Sequence, residues 1–122
     1  MERPTYGLIV HAEERPVLAL ALKVFRDGLG HEEHRIAAIA DEVVVELNEN
    51  GDPFTVTLDA AMMKVTWSAL HTLLDDTVRG QRDDREHLHA LLHRLPGEHD
   101  IRAIDLDEEL ERRARGSVSE DG

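Results

Sequence analysis

The fold is decided by the stretch VVVELNENGDPFTVTL, residues 43–58. Val43 and Leu47 would continue the apolar stripe of a helix that begins upstream, whereas Val43, Val45 and Leu47 also alternate as residues of a strand do. The density of β-branched side chains and the turn-rich residues 48–53 favour the strand, because these residue types form the arms and the turn of a hairpin. We therefore predict two antiparallel strands here rather than one long helix.

A second argument for these strands comes from the C-terminal half of the chain. The predicted strands occupy residues 43–47 and 54–58 and flank a turn at Asn50-Gly51. The corresponding segment of the other half is IRAIDL, residues 101–106, and it follows Leu95-Pro96-Gly97, where a helix cannot easily continue. We therefore predict a strand over residues 101–106 as well.

The chain also shows the pattern of an internal repeat. A short apolar stretch followed by two amphipathic segments occurs within residues 5–49 and recurs within residues 54–106, with Ile9 aligned on Leu58. With the strands above, each unit is predicted as strand, helix, helix, strand. The expected fold is α+β: a tandem β-α-α-β repeat whose four strands form one sheet packed with four helices, with pseudo-twofold symmetry between the halves.

A single domain is expected over residues 1–115. A chain of 122 residues is long enough to bury a core without disulfides or metals. Pro16 suits the first turn of the first helix, and Asp59 is expected to cap the N terminus of the third. Residues 107–115 predict a short charged helix, and residues 116–122 are predicted to be a disordered tail.

The chain is strongly acidic. Asp and Glu number 26 against 14 Lys and Arg, which gives a formal net charge of −12. This charge repels phosphate groups, so nucleic acid and anionic membranes are not expected as direct ligands. There are no cysteines, and the longest apolar run, residues 17–22, is far shorter than a membrane span. The absence of cysteines favours a protein of the reducing cytoplasm, and because no basic segment leads into an apolar one at the N terminus, no signal peptide is expected.

The sharpest candidate metal site consists of Glu86, His89 and His93. Their spacings of three and four residues put them on one face of a helix, and two histidines four residues apart can share an ion. The order of an HExxH motif is absent, and the other predicted helices lack the matching Glu-x-x-His motif of a ferritin-like site. A solvated helix flank is the simpler interpretation, and we favour it.

Motifs for catalysis or cofactor binding are not recognised elsewhere. Gly28-x-Gly30 lacks the third glycine of a dinucleotide-binding loop, and no cofactor is expected. We predict a non-enzymatic interaction or regulatory protein whose partner is a protein with a basic surface. The alternative is a metal-binding protein or small metal-dependent enzyme that uses Glu86, His89 and His93. A homodimer is a further expectation, formed through an open edge strand of the predicted sheet or through a helix face.

Overall fold

The computed structural model describes residues 5–49, 54–76, 82–95 and 98–121. This part of the chain is mainly helical. In chain order its elements are β1 Tyr6–Val10, α1 Arg15–Asp27, α2 His34–Glu49, β2 Phe54–Leu58, α3 Ala60–Asp76, α4 Arg82–Arg94, α5 Glu98–Arg102 and α6 Leu106–Asp121. Single turns of 3-10 helix at Ala12–Glu14 and His31–Glu33 precede α1 and α2.

The sheet consists of β1 and β2, which run antiparallel with Tyr6 opposite Leu58 and Val10 opposite Phe54. Alternate residues of a strand point to opposite faces. Leu8 and Val56 accordingly face the core and are fully buried, as are Val10 and Leu58. The opposite face of the sheet is exposed to solvent.

The predicted four-stranded sheet is wrong, and so is the hairpin that begins at Val43. β2 has the predicted bounds, but residues 43–47 belong to α2, which continues unbroken to Glu49. A strand would place the side chains of Val43, Val45 and Leu47 on one face and bury them together. In the structure Val43 and Leu47 are buried, whereas Val45 is 53% exposed. Burial of the helical stripe therefore outweighs the β preference of three consecutive valines. The turn at Asn50-Gly51 lies outside the described residues.

The predicted strand over residues 101–106 is also wrong, and the internal β-α-α-β repeat is wrong with it. Ile101 is buried in the last turn of α5, and Leu106 begins α6. The order strand, helix, helix does occur twice, but the aligned residues Ile9 and Leu58 have different surroundings: Ile9 is 50% exposed and Leu58 fully buried. The described fold is helical with a two-stranded sheet, not an α+β fold with twofold pseudosymmetry.

The core lies between the inner face of the sheet and the helices α1 to α4, and α5 and α6 add Ile101 and Leu110 to it. α3 is at its centre and packs against α1, α2, α4, α5 and α6. The largest fully buried side chains include Leu8, Leu18, Leu22, Ile39, Leu47, Leu58, Leu70, Leu88, Leu91 and Ile101. None of the helices in the described part of the chain is long and apolar enough to cross a membrane.

Two of the predicted helix starts are confirmed. Pro16 lies in the first turn of α1. Asp59 precedes α3, and its Oδ1 accepts a hydrogen bond from the backbone N–H of Met62 at 2.9 Å. Asp105 does the same for α6 by accepting from the N–H of Glu108 at 3.2 Å. α6 extends over residues 106–121, beyond the predicted residues 107–115.

Candidate functional site

A groove with a volume of about 500 Å³ opens along the solvent side of α2. It lies between α2, β2 and the first turn of α3. We call it the α2 groove, and its lining residues are Ala38, Asp41, Glu42, Val45, Glu46, Thr57 and Met62. The lining combines an apolar surface with three carboxylates.

The period of α2 explains why this surface is apolar in part. Val43 and Leu47 face the core, and Val45 lies about 160° around the helix from Val43 at 100° per residue. Its side chain therefore points away from the core and stays largely exposed. Asp41 and Glu42 also lie on this outward half of the helix and are exposed. An exposed apolar side chain flanked by acids is the result.

Two carboxylates of the α2 groove already bind arginines of the same chain. Asp41 accepts from Nε of Arg26, which lies on α1, at 2.8 Å. Glu42 accepts from Arg113, which lies on α6, at 2.6 Å. The side chains of Asp41 and Glu42 nevertheless remain 54% and 48% exposed. Both acids thus bind a guanidinium group while they stay accessible to solvent.

A second, smaller groove lies on the other side of Asp41, between α1 and α2. Its volume is about 320 Å³, and its lining residues are Ala19, Leu22, Lys23, Arg26, Ala40, Asp41 and Val44. The cations of this groove come from α1, whereas the carboxylates of the α2 groove come from α2. The charge of the surface therefore changes sign across Asp41.

Arg113 connects α6 to Glu42 in the lining of the α2 groove and to Asp59 just before α3. Its guanidinium donates to Glu42 and, at 2.7 Å, to Oδ2 of Asp59. Burial lowers the pKa of Arg113, but the hydrogen bonds and charges of Glu42 and Asp59 outweigh this effect and raise the pKa above its ordinary value. Its Nε is buried and has no hydrogen-bond acceptor among the described residues. The two carboxylates therefore stabilise the positive charge of Arg113, but one of its N–H donors has no acceptor among the described residues.

A different ion pair joins Glu14, just before α1, to Arg94 at the end of α4. Oε1 of Glu14 also accepts the backbone N–H of His11 at 2.9 Å, and Arg94 donates to the carbonyl of Ile9 at 3.3 Å. The hydroxyl of Tyr6 donates to the carbonyl of Arg94. Because the side chain of Glu14 is only 4% exposed, this pair fastens β1 to α4 and is not accessible to a ligand.

Cationic and aromatic side chains meet at Trp67 on α3. The ring of His71 packs edge-on against the indole at a centroid distance of 4.6 Å. Lys64 and Arg102 lie 5.3 and 6.0 Å from the centre of the Trp67 ring. Lys64 also donates to the carbonyl of Ile101 at 3.3 Å. These contacts hold α5 against α3, which gives the cluster a structural role.

The predicted metal-site residues Glu86, His89 and His93 all lie on α4 and are exposed. Within residues 5–49, 54–76, 82–95 and 98–121, no three side chains of His, Cys, Asp or Glu are grouped so that they could hold a metal ion. The three residues share a helix, as predicted, and metal binding by them stays the alternative hypothesis beside a solvated helix flank.

Sequence reasoning missed the residues that form the α2 groove. Assigning residues 43–47 to a helix would have placed Val45 on the outside, and this alternative was available from the spacing of Val43 and Leu47. The pairing of Arg113 with Glu42 had no local signal, because 71 residues separate them. Comparison with protein-family models, curated proteins and solved structures gives no match to this chain.

Proposed function

We propose that this chain is a non-enzymatic interaction protein whose α2 groove binds a basic, amphipathic segment of a partner protein. One observation carries the proposal: the exposed side chain of Val45 is flanked by Asp41 and Glu42, which can bind cations. An apolar residue of the partner would cover Val45, and arginines beside it would bind the carboxylates. Exposed apolar surface rimmed by polar groups is typical of protein interaction sites.

The choice of a basic partner follows from charge at two distances. At short range, Asp41 and Glu42 already accept guanidinium groups at 2.8 and 2.6 Å, so the local geometry suits arginine. At long range, the net charge of −12 attracts basic proteins and repels nucleic acid. Binding should weaken as salt shortens the Debye length from about 10 Å at 0.1 M to about 3 Å at 1 M.

The test is a binding titration with a fluorescent synthetic helix that carries leucines on one face and arginines on the flanks. Val45→Lys should weaken its binding by about tenfold, because this change removes apolar contact and adds a like charge, together worth about 1.4 kcal/mol. Leu20→Lys is the matched control. Leu20 is 47% exposed and lines neither groove, and the substitution changes the net charge equally.

The expected result is a loss for Val45→Lys with no more than about a twofold change for Leu20→Lys. Equal weakening by both variants would assign binding to net charge alone and remove the groove from the proposal. A peptide with glutamates in place of the arginines should not bind. If it bound as well as the basic peptide, the electrostatic argument would be wrong.

The remaining expectations need separate measurements. A tag-free protein titrated with Zn²⁺ in a calorimeter should show no stoichiometric site at micromolar metal, because Glu86, His89 and His93 are exposed and form no cluster of metal-ligating side chains among the described residues. Tight one-to-one binding that His89→Ala abolishes would favour the metal-dependent alternative.

The homodimer also stays a prediction, and sedimentation equilibrium would test it.

A further inference from the structure

The helix α6 places its own arginine against Glu42, one of the residues that line the groove in which the partner is proposed to bind. Leu110 of α6 is buried against the core, and Arg113 follows one turn later on the same face. From there its guanidinium reaches Glu42 of the α2 groove and Asp59 at the start of α3. The chain thus supplies internally the same chemical group that the partner would bring.

The contact of Arg113 can be exchanged without disrupting its neighbours. Asp59 uses Oδ1 to cap α3 and Oδ2 to bind Arg113, so the cap of α3 does not depend on Arg113. α6 has its own support, because Asp105 caps its N terminus and Arg112 pairs with Glu108 within the helix. Release of Arg113 therefore leaves both helices with their local stabilising contacts.

The contact is also weak enough for a partner to replace it. Glu42 is 48% exposed, whereas Arg113 and Asp59 are each 24% exposed, so the pair with Glu42 is the one that solvent weakens more and that a partner can replace more easily. The buried Nε of Arg113 without an acceptor adds a cost, since an unsatisfied buried donor has lost its hydrogen bond to water. When a partner arginine binds Glu42 in place of Arg113, Arg113 no longer competes for this carboxylate. Its side chain is then released to solvent, where Nε can bind water and the cost disappears.

We propose that α6 is an autoinhibitory helix, in which Arg113 occupies Glu42 and a basic partner must displace it to bind the α2 groove. This inference rests on the proposed function, since it concerns access to the same groove. It predicts that loss of Arg113 increases the affinity for a basic partner, and that partner binding loosens α6.

The test compares Arg113→Ala with Arg112→Ala in the full chain, using the same fluorescent arginine-leucine peptide. Both variants remove one positive charge from the same helix. Arg112, however, pairs only with Glu108 and Glu109 of its own helix in the described contacts. Arg113→Ala should bind the peptide about fivefold more tightly than the wild-type protein, while Arg112→Ala should stay within about twofold.

Hydrogen exchange provides a second measurement that does not depend on affinity. Saturating peptide should speed exchange of the backbone amides of α6 in the wild-type protein and leave those of α3 unchanged or slower. Arg113→Ala should show faster exchange in α6 without any peptide, and Arg112→Ala should show less of this effect.

The outcomes separate this inference from the proposed function. If the peptide binds with the expected sensitivity to Val45→Lys, but Arg113→Ala binds no more tightly than Arg112→Ala, then autoinhibition is wrong and the groove remains the binding site. If the peptide binds neither the wild-type protein nor Arg113→Ala, both proposals are wrong.

Discussion

Two arginines join distant segments of this chain to carboxylates, and their surroundings differ. Arg94 binds Glu14, whose side chain is 4% exposed, and it ties the N-terminal strand to α4. Arg113 binds Glu42 and Asp59, whose side chains are 48% and 24% exposed, and it ties α6 to the α2 groove. The chemistry of the two contacts is the same. Because Arg94 is 31% and Arg113 24% exposed, we infer that burial of the carboxylate, rather than burial of the arginine or the type of pair, separates a structural contact from an exchangeable one.

The physical basis of the difference is the cost of an unpaired charge. If Arg94 is removed, Glu14 keeps its charge in a place that water hardly reaches, so the full desolvation cost appears in the free energy of unfolding. If Arg113 is removed, Glu42 is hydrated by the solvent that it already contacts. Single substitutions at Arg94 and Arg113 should therefore differ in their effect on the free energy of unfolding.

Arg94→Ala should lower the free energy of unfolding by about 3 kcal/mol, the lower end of the range for breaking a buried pair, because Arg94 itself is partly exposed. The variant also loses the hydrogen bond to the carbonyl of Ile9. Urea denaturation followed by circular dichroism gives the value. A loss below about 1 kcal/mol would mean that the Glu14–Arg94 pair contributes no more to stability than the Arg113 contact, and the proposed difference between them would be wrong.

The free energy of unfolding should also depend on pH through the ionisation of Glu14. Burial raises the pKa of this carboxyl, but the hydrogen bonds from Arg94 and the His11 N–H and the charge of Arg94 outweigh it, so the pKa lies below its ordinary value of 4.5. A lowered pKa in the folded state contributes stability that is complete above the ordinary value. That contribution is lost as the pH falls through the folded-state value.

The measurement compares unfolding free energies of the wild-type protein and Glu14→Gln between about pH 7 and about pH 3. The wild-type advantage should be largest at neutral pH and shrink on acidification. If the difference in unfolding free energy between the two proteins stays constant over this range, Glu14 stabilises the fold through packing rather than through its charge.

Arg113→Ala should cost less than about 1 kcal/mol, because Glu42 and Asp59, whose side chains are 48% and 24% exposed, can be hydrated once Arg113 is removed. Arg112→Ala is the charge-matched control: it removes the exposed pair with Glu108, usually worth about 0.3–0.5 kcal/mol, and also the pair with Glu109, whose side chain is only 9% exposed, so its total cost should exceed that of the Glu108 pair alone. Both values come from the same denaturation curves. A loss above about 2 kcal/mol for Arg113→Ala would make its contact structural and argue against displacement by a partner.

The sequence predicted much of the local structure and little of the tertiary structure. β2, the start of α1 and the cap at Asp59 were correct, because strand alternation, proline and an N-cap act over a few residues. The end of α2 was wrong because Val43 and Leu47 suit both a helix and a strand. Only the pairing of β2 with β1, rather than with residues 43–47, removes the ambiguity, and strand periodicity does not specify the partner strand.

The candidate site was less predictable than the fold for a related reason. The acidic composition indicated a basic partner, but it did not place any carboxylate beside an apolar side chain. The α2 groove needs α2 as a helix and β2 beside it, and the pairs at Glu42 connect segments far apart in the chain. Such contacts depend on the whole fold and have no short sequence pattern.

The three valines at 43–45 have one more consequence, for the chain before it has folded. Such a run has high β propensity, and as an exposed extended segment it could stack with identical segments of other chains into aggregates. Glu42 and Glu46 stand directly on either side of it. In stacked, in-register chains these charges would repel one another, which is how flanking gatekeeper residues oppose aggregation. We therefore expect the same acids that line the α2 groove of the folded protein to oppose self-association of the unfolded chain.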